Sequence, residues 1–138
     1  MVWLRIKIKV GEREIETSAI ANSGYSAEAA EIAIPWKLAE MLIPPHLIEK
    51  AQSKKYSTPA GEIEVLKLNK VAEVILCDED IKVSDVNIAI DEHLSKVLLN
   101  DKILSELRIV IIDPSKGIWC LRDESPPKLR ESASEEYW

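Results

Sequence analysis

A mainly β domain carrying one or two short helices is the fold class that this sequence predicts, on three observations. Val2, Leu4, Ile6, Ile8 and Val10 alternate with Trp3, Arg5, Lys7 and Lys9, the period-two pattern of a strand with one buried face. Short apolar runs recur along the chain, broken by Gly, Pro, Ser and acidic residues. Helical spacing is confined to two places, around Leu38 and around Leu104.

The first strand turns at Gly11-Glu12-Arg13, after which Ile15, Thr17, Ala19 and Ala21 repeat the alternation. This hairpin delivers the chain to Asn22, Ser23 and Gly24 at a strand end, where Gly24 is expected to supply the freedom of a tight turn. Ala33-Ile34-Pro35 leads into a helix at 36–42, with Pro35 suited to a first helical position and Leu38, Met41 and Leu42 on one face. Pro44-Pro45 is expected to stop it.

A polar stretch at 52–55 precedes Tyr56, Ser57, Thr58, Pro59, Ala60 and Gly61, and Ile63 and Val65 then resume alternation. That pattern predicts a hairpin with a small, mobile tip. The run at 71–77, then Ile81 and Val83, then Val86, Ile88 and Ile90 predict further short strands, separated by turns at Asp78-Glu79-Asp80 and Ser84-Asp85. Leu98, Leu99, Asn100 and Asp101 precede Ile103, Leu104 and Leu107 at helical spacing, with Asn100 as N-cap. The runs at 109–112 and 118–121 flank Asp113-Pro114-Ser115-Lys116-Gly117 as a closing hairpin. From Asp123 onward Ser, Pro, Glu and Arg dominate, so residues 1–122 form the predicted β domain and 123–138 a polar tail, frayed or docked on a partner.

A chain of 138 residues is one domain by size. Its net charge is −6, with the basic residues scattered rather than clustered, which disfavours nucleic acid as a partner. Cys77 and Cys120 lie in apolar runs and read as structural thiols. His46 and His93 lack a second ligand at metal spacing, and the acidic clusters Asp78-Glu79-Asp80 and Asp91-Glu92 lack the interleaved oxygens and the Gly of a calcium loop, so neither a metal nor a cofactor is expected. No apolar run approaches the roughly 18 residues of a membrane span, and no charged-then-apolar leader occurs. The expectation is a soluble, cytoplasmic protein with no membrane partner.

The order of a hairpin into Asn22-Ser23-Gly24, a second hairpin at Thr58, Pro59, Ala60 and Gly61, and Leu98-Leu99-Asn100 before a short helix resembles the retropepsin-like (clan AA) aspartic proteases. The likeness is to the small single-motif type of archaea and bacteria, and it spans residues 2–122. It implies a closed β-barrel, half of an acid protease. Asn22, Ser23 and Gly24 fall on the family's Asp-Thr/Ser-Gly signature, residues 58–61 on its flap, and Leu98 and Leu99 on two aliphatics that support the active site. The chain departs from the pattern twice, with Asn100 where the family has Gly and Asn22 where it has the catalytic Asp.

A single motif per chain implies a homodimer, each copy supplying half of the site. The family's chemistry needs two carboxylates sharing one proton, one to activate water and the other to protonate the substrate carbonyl. An amide has neither the proton nor the basic lone pair. In the family scheme the residue at Ser23 orients the carboxylates, Gly24 lets the loops approach, and the flap closes over an extended peptide or protein substrate held as an added strand. The resemblance thus implies an aspartic endopeptidase fold that is inactive with Asn22, the alternative being a non-catalytic dimeric peptide-binding or assembly module. A natural loss of catalysis, a replaced aspartate, and an ordinary turn in an unrelated β domain all remain open for Asn22. Trp3 and Trp119 either line a dimer sheet or cover their own core. Pairing with a partner would also remove the exposed edge of the first strand.

Overall fold

The computed structural model covers residues 1–138. The first hairpin forms as the alternation predicts. β1 (Trp3–Val10) and β2 (Arg13–Ala21) pair antiparallel with Val10 opposite Arg13, so Gly11 and Glu12 alone make the turn. Gly11 sits at φ +60°, where a side chain would be strained. Leu4, Ile6, Ile8 and Val10 point into the core while Lys7 and Lys9 stay half exposed.

The chain continues through β3 (Glu31–Pro35), α1 (Trp36–Leu42), α2 (Pro45–Ile48), β4 (Gln52–Thr58), β5 (Gly61–Leu76), β6 (Ile81–Asp91) and β7 (Val97–Leu99). α3 (Asp101–Glu106), β8 (Ile109–Asp113), β9 (Ile118–Leu121) and β10 (Arg130–Glu131) complete it. Strands β1-β2-β7-β3-β6-β5 form a closed six-stranded barrel, with β5 returning to β1 through Ile6–Leu76 and Lys9–Glu73. β4 stands outside this ring and pairs with β5 alone. Leu4, Ile6, Ile8, Ile32, Ile34, Leu76, Ile88 and Leu99 fill the interior, and Leu38, Leu42 and Ile103 of the helices pack against the same core.

Several expected boundaries shift, each for a physical reason. The separate strands expected after Gly61 are one 16-residue strand, β5, and those from Ile81 to Ile90 are one strand, β6. Ser84-Asp85 does not end a strand. The β5–β6 ladder changes register between Leu68 and Ala72 and again before Val74, with Lys70 and Asp85 at positive φ. Such bulges bend long strands and increase their twist, as closure of a barrel requires. The polar stretch at 52–55 is strand β4; Gln52, Ser53, Lys54 and Lys55 are all exposed, so it has no apolar alternation to reveal it.

The first helix spans 36–42 as predicted, but Pro35 is its N-cap, at φ −65° and ψ 154°, rather than its first residue. Its inward face is Leu38, Ala39 and Leu42, and Met41 is exposed. Pro45 opens a second helix instead of only ending the first, a position where the missing N–H costs nothing. The closing β8–β9 hairpin forms as predicted.

Residues 123–138 dock on their own chain. β10 pairs with β9, placing Arg130 opposite Trp119. Ala133 N donates to Trp3 O at 2.8 Å, and Glu136 takes both Arg5 at 2.6 Å and Ser18 N at 2.9 Å. The indole of Trp138 donates to Thr17 Oγ1 at 3.0 Å. Trp3 is buried against the edge of Tyr137, and Trp119 beneath the Arg130 guanidinium, so both tryptophans cover their own chain. β1 has strands on both sides and is no edge, which removes the exposed strand as a motive for dimerisation. Both cysteines are free, Cys120 buried and Cys77 half-buried with its thiol donating to Glu16. No helix is long and apolar enough to cross a membrane.

Candidate functional site

β2 ends at Ala21 because the ladder with β7 ends at Leu99, and the next residue leaves the sheet. Asn22 N still donates to Leu99 O at 3.0 Å, so the loop starts from a fixed base. Beyond it the Asn22 side chain folds over its own loop, Oδ1 accepting from Gly24 N at 3.1 Å, and Tyr25 N closes the turn on Asn22 O at 3.1 Å. Ser23 and Gly24 are exposed and Asn22 is half-buried. A carboxylate at position 22 could accept the same Gly24 N–H, so amide and acid suit this turn equally.

Gly24 does not use the backbone freedom expected of it. Its φ is not positive, and an added Cβ would meet only Asn22 Oδ1 at 3.5 Å, an ordinary contact.

Leu98, Leu99 and Asn100 lie beside this loop. Leu99 points into the barrel core, while Leu98 faces outward with Ala33, Val65 and Ala89 and with Tyr25, Tyr56, Ile63 and Leu94. Asn100 is fully buried and makes three side-chain hydrogen bonds. Its Oδ1 accepts from Ile103 N at 3.1 Å as the helix cap and from Glu31 N at 3.1 Å, and its Nδ2 donates to Ala29 O at 2.8 Å. With φ −80° and ψ 175° it is extended, so Asn serves here for its two-ended amide rather than for any left-handed tolerance.

Thr58, Pro59, Ala60 and Gly61 form the tip of the β4–β5 hairpin, held by Thr58 Oγ1 donating to Gly61 O at 2.7 Å and accepting from Ala60 N at 3.2 Å. Gly61 has φ +113°, a conformation that side chains resist. No hydrogen bond joins this tip to residues 22–24. The hairpin and the loop meet lower down, on a residue that the sequence motifs passed over.

That residue is Glu31, whose side chain is fully buried at the start of β3. Lys67 Nζ of β5 lies 2.9 Å from Oε1. The hydroxyl of Tyr25, next to Gly24, donates to Oε2. Tyr56 of β4 donates to the same carboxylate at 3.3 and 3.4 Å, and the Lys67 ammonium lies 5.9 Å from the Tyr56 ring centre. Burial first, then the hydrogen bond to Glu31 and its charge, pushes the Tyr25 phenol far above its ordinary range, and burial followed by the Glu31 charge raises Tyr56. Burial alone would lower the Lys67 ammonium, but hydrogen bonds to Glu31 and Tyr56 outweigh it and the net shift is upward. Both tyrosines therefore stay neutral donors and Lys67 stays charged. The signals for this knot are lone charges inside apolar runs: Glu31 between Ala30 and Ile32, Lys67 between Leu66 and Leu68.

His46 and His93 are both exposed, and the acidic residue Asp91 accepts the backbone N–H of His93 at 2.8 Å. No group of three or more His, Cys, Asp or Glu side chains is placed to hold a metal. No family model matches the chain, and no curated protein matches it.

Proposed function

We propose that this chain is one half of a two-fold peptide cleft of the aspartic-protease type, a retropepsin-like homodimer that holds an extended peptide and, with Asn22 in place, does not cleave it. One observation supports this above the others. A loop carrying Asn22-Ser23-Gly24 leaves the end of a barrel strand, and a hairpin whose outer strand lies outside the ring is anchored to the same buried carboxylate as that loop. On this reading the loop is the floor and the hairpin the cover, with an open edge strand, β4, against which a peptide backbone could add.

Asn22 decides what such a cleft can do. Two symmetry-related carboxylates could share a proton and activate water; two amides cannot. The turn tolerates either group, so the Asn22→Asp variant should fold unchanged and acquire the missing acid and base.

The test pairs sedimentation velocity with cleavage of a reduced, denatured protein at mildly acid pH. A dimer, silent with Asn22 and cleaving as Asn22→Asp, is the expected result. A dimer that stays silent as Asn22→Asp favours the second reading, a non-catalytic peptide-binding or assembly module. A monomer at micromolar concentration, with the variant silent, would sink both.

A further inference from the structure

The outer strand of the hairpin has a single polar tie to the body of the protein. β4 pairs only with β5, and the side-chain hydrogen bonds of Ser53 and Thr58 stay within the hairpin. Tyr56 alone reaches out, to Glu31. The same carboxylate holds Tyr25 of the Asn22 loop and Lys67 of the inner strand, and the backbone of Glu31 is clamped through both N–H and C=O by Asn100. Glu31 thus joins the loop, both hairpin strands and the start of α3 without a hydrogen bond to Asn22, Ser23 or Gly24.

The donors on this carboxylate are unequal. Lys67 sits at 2.9 Å, whereas the Tyr56 contacts are 3.3 and 3.4 Å. A buried carboxylate stripped of all partners would be strongly disfavoured. Here Tyr56 can leave while Lys67 and Tyr25 keep the charge paired and hydrogen-bonded, so the hairpin can lift without baring it.

Resting on the reading of the hairpin as the cover of a peptide cleft, we propose that Glu31 is a positioning residue: through Tyr56 it holds the β4–β5 hairpin to the barrel, beside the Asn22 loop that Tyr25 ties to the same carboxylate. Two-stranded hairpins are marginal on their own in water. Once untied from Glu31, β4 and the part of β5 beyond its ladder with β6, residues 61–65, should therefore fray as a unit.

Amide hydrogen exchange on the peptide-free protein tests this. In Tyr56→Phe, which keeps the ring and loses only the hydroxyl, amides at 52–65 should exchange about tenfold faster, the worth of one hydrogen bond to a charged group. Amides of β1 and β2 should keep their wild-type rates. Hairpin exchange unchanged in Tyr56→Phe would overturn the proposal, as would an equal acceleration across barrel and hairpin, which marks a general packing role. The measurement involves no peptide and no second copy, so its failure is separate from that of the dimeric cleft, which sedimentation and cleavage decide.

Discussion

Lys67 Nζ lies 2.9 Å from the Glu31 carboxylate, whose side chain has no exposed surface, and this ion pair sits where the hairpin meets the barrel. Lys67 is itself mostly covered, 19% of its side chain remaining exposed. Breaking such a pair by deleting one partner leaves the other charge poorly compensated, a loss of about 3 kcal/mol or more. Glu31→Ala is thus expected to cost that much in chemical denaturation, leaving Lys67 and the Tyr25 and Tyr56 hydroxyls without their common acceptor. Glu31→Gln, which keeps an acceptor oxygen, should cost clearly less. Equal stability of the two variants would contradict the ion pair's role.

Asn100 offers a second mutational test. Asn100→Gly, which introduces the residue of the resembled family, deletes the cap on Ile103 N and the acceptor for Glu31 N together. A lost cap costs about 1 kcal/mol and a buried orphan donor about 1–3 kcal/mol more. A drop of about 2–4 kcal/mol in urea unfolding is expected. A change below about 0.5 kcal/mol would show that solvent or a local shift satisfies both groups.

The tail should prove integral to the domain. Trp138 is partly buried against the main core and its indole bonds the buried Thr17 hydroxyl, so Trp138→Ala is expected to cost about 2 kcal/mol. Truncation after residue 122 should cost more and bare Trp3 and Trp119, visible as a red shift of tryptophan emission. A truncated chain as stable as the full one would refute docking of the tail.

Acid should loosen this tail before the barrel. Hydrogen bonds from the Arg130 guanidinium, aided by Leu121 N, hold the Glu124 carboxyl down at about 2 against an ordinary 4.5. A carboxyl with a depressed folded value stabilises fully above the unfolded pKa and loses that contribution as pH falls through the folded one. The window is therefore about pH 4.5 down to 2, and Glu124→Gln should remove this part of the pH dependence. Tryptophan emission against pH is the measurement, Trp119 lying under Arg130.

Alkali should act on the Glu31 knot. Tyr25 and Tyr56 are both shifted upward from an ordinary 10.0, by burial first and then by Glu31, through its hydrogen bond at Tyr25 and its charge at Tyr56. Groups with raised folded values stabilise fully below the unfolded pKa, and that stability is lost as pH climbs above it. Stability should thus fall above about pH 10, and tyrosinate absorbance of these two residues should appear only with unfolding. Tyr25→Phe should flatten the fall; ionisation of both phenols in the native state would refute it.

Periodicity alone determined a mainly β domain, the first hairpin, the Asn100-capped helix and the closing hairpin, because each follows from local alternation, turn chemistry or capping. It could not tell a bulge from a turn at Lys70 or Ser84-Asp85, since both look like a polar break in an apolar run. Nor could it find β4, whose residues 52–55 face solvent on both sides.

Closure of the ring was decided only by tertiary structure, because β5 meets β1 across some 65 residues of chain and no local pattern encodes that pairing. The same holds for the tail, whose composition reads as unfolded until Arg130, Glu136 and Trp138 find their partners. It holds above all for Glu31, which local sequence shows as a stray charge among aliphatics. A buried carboxylate is tolerable only where distant segments bring their donors to it, and those segments come together in the folded chain alone.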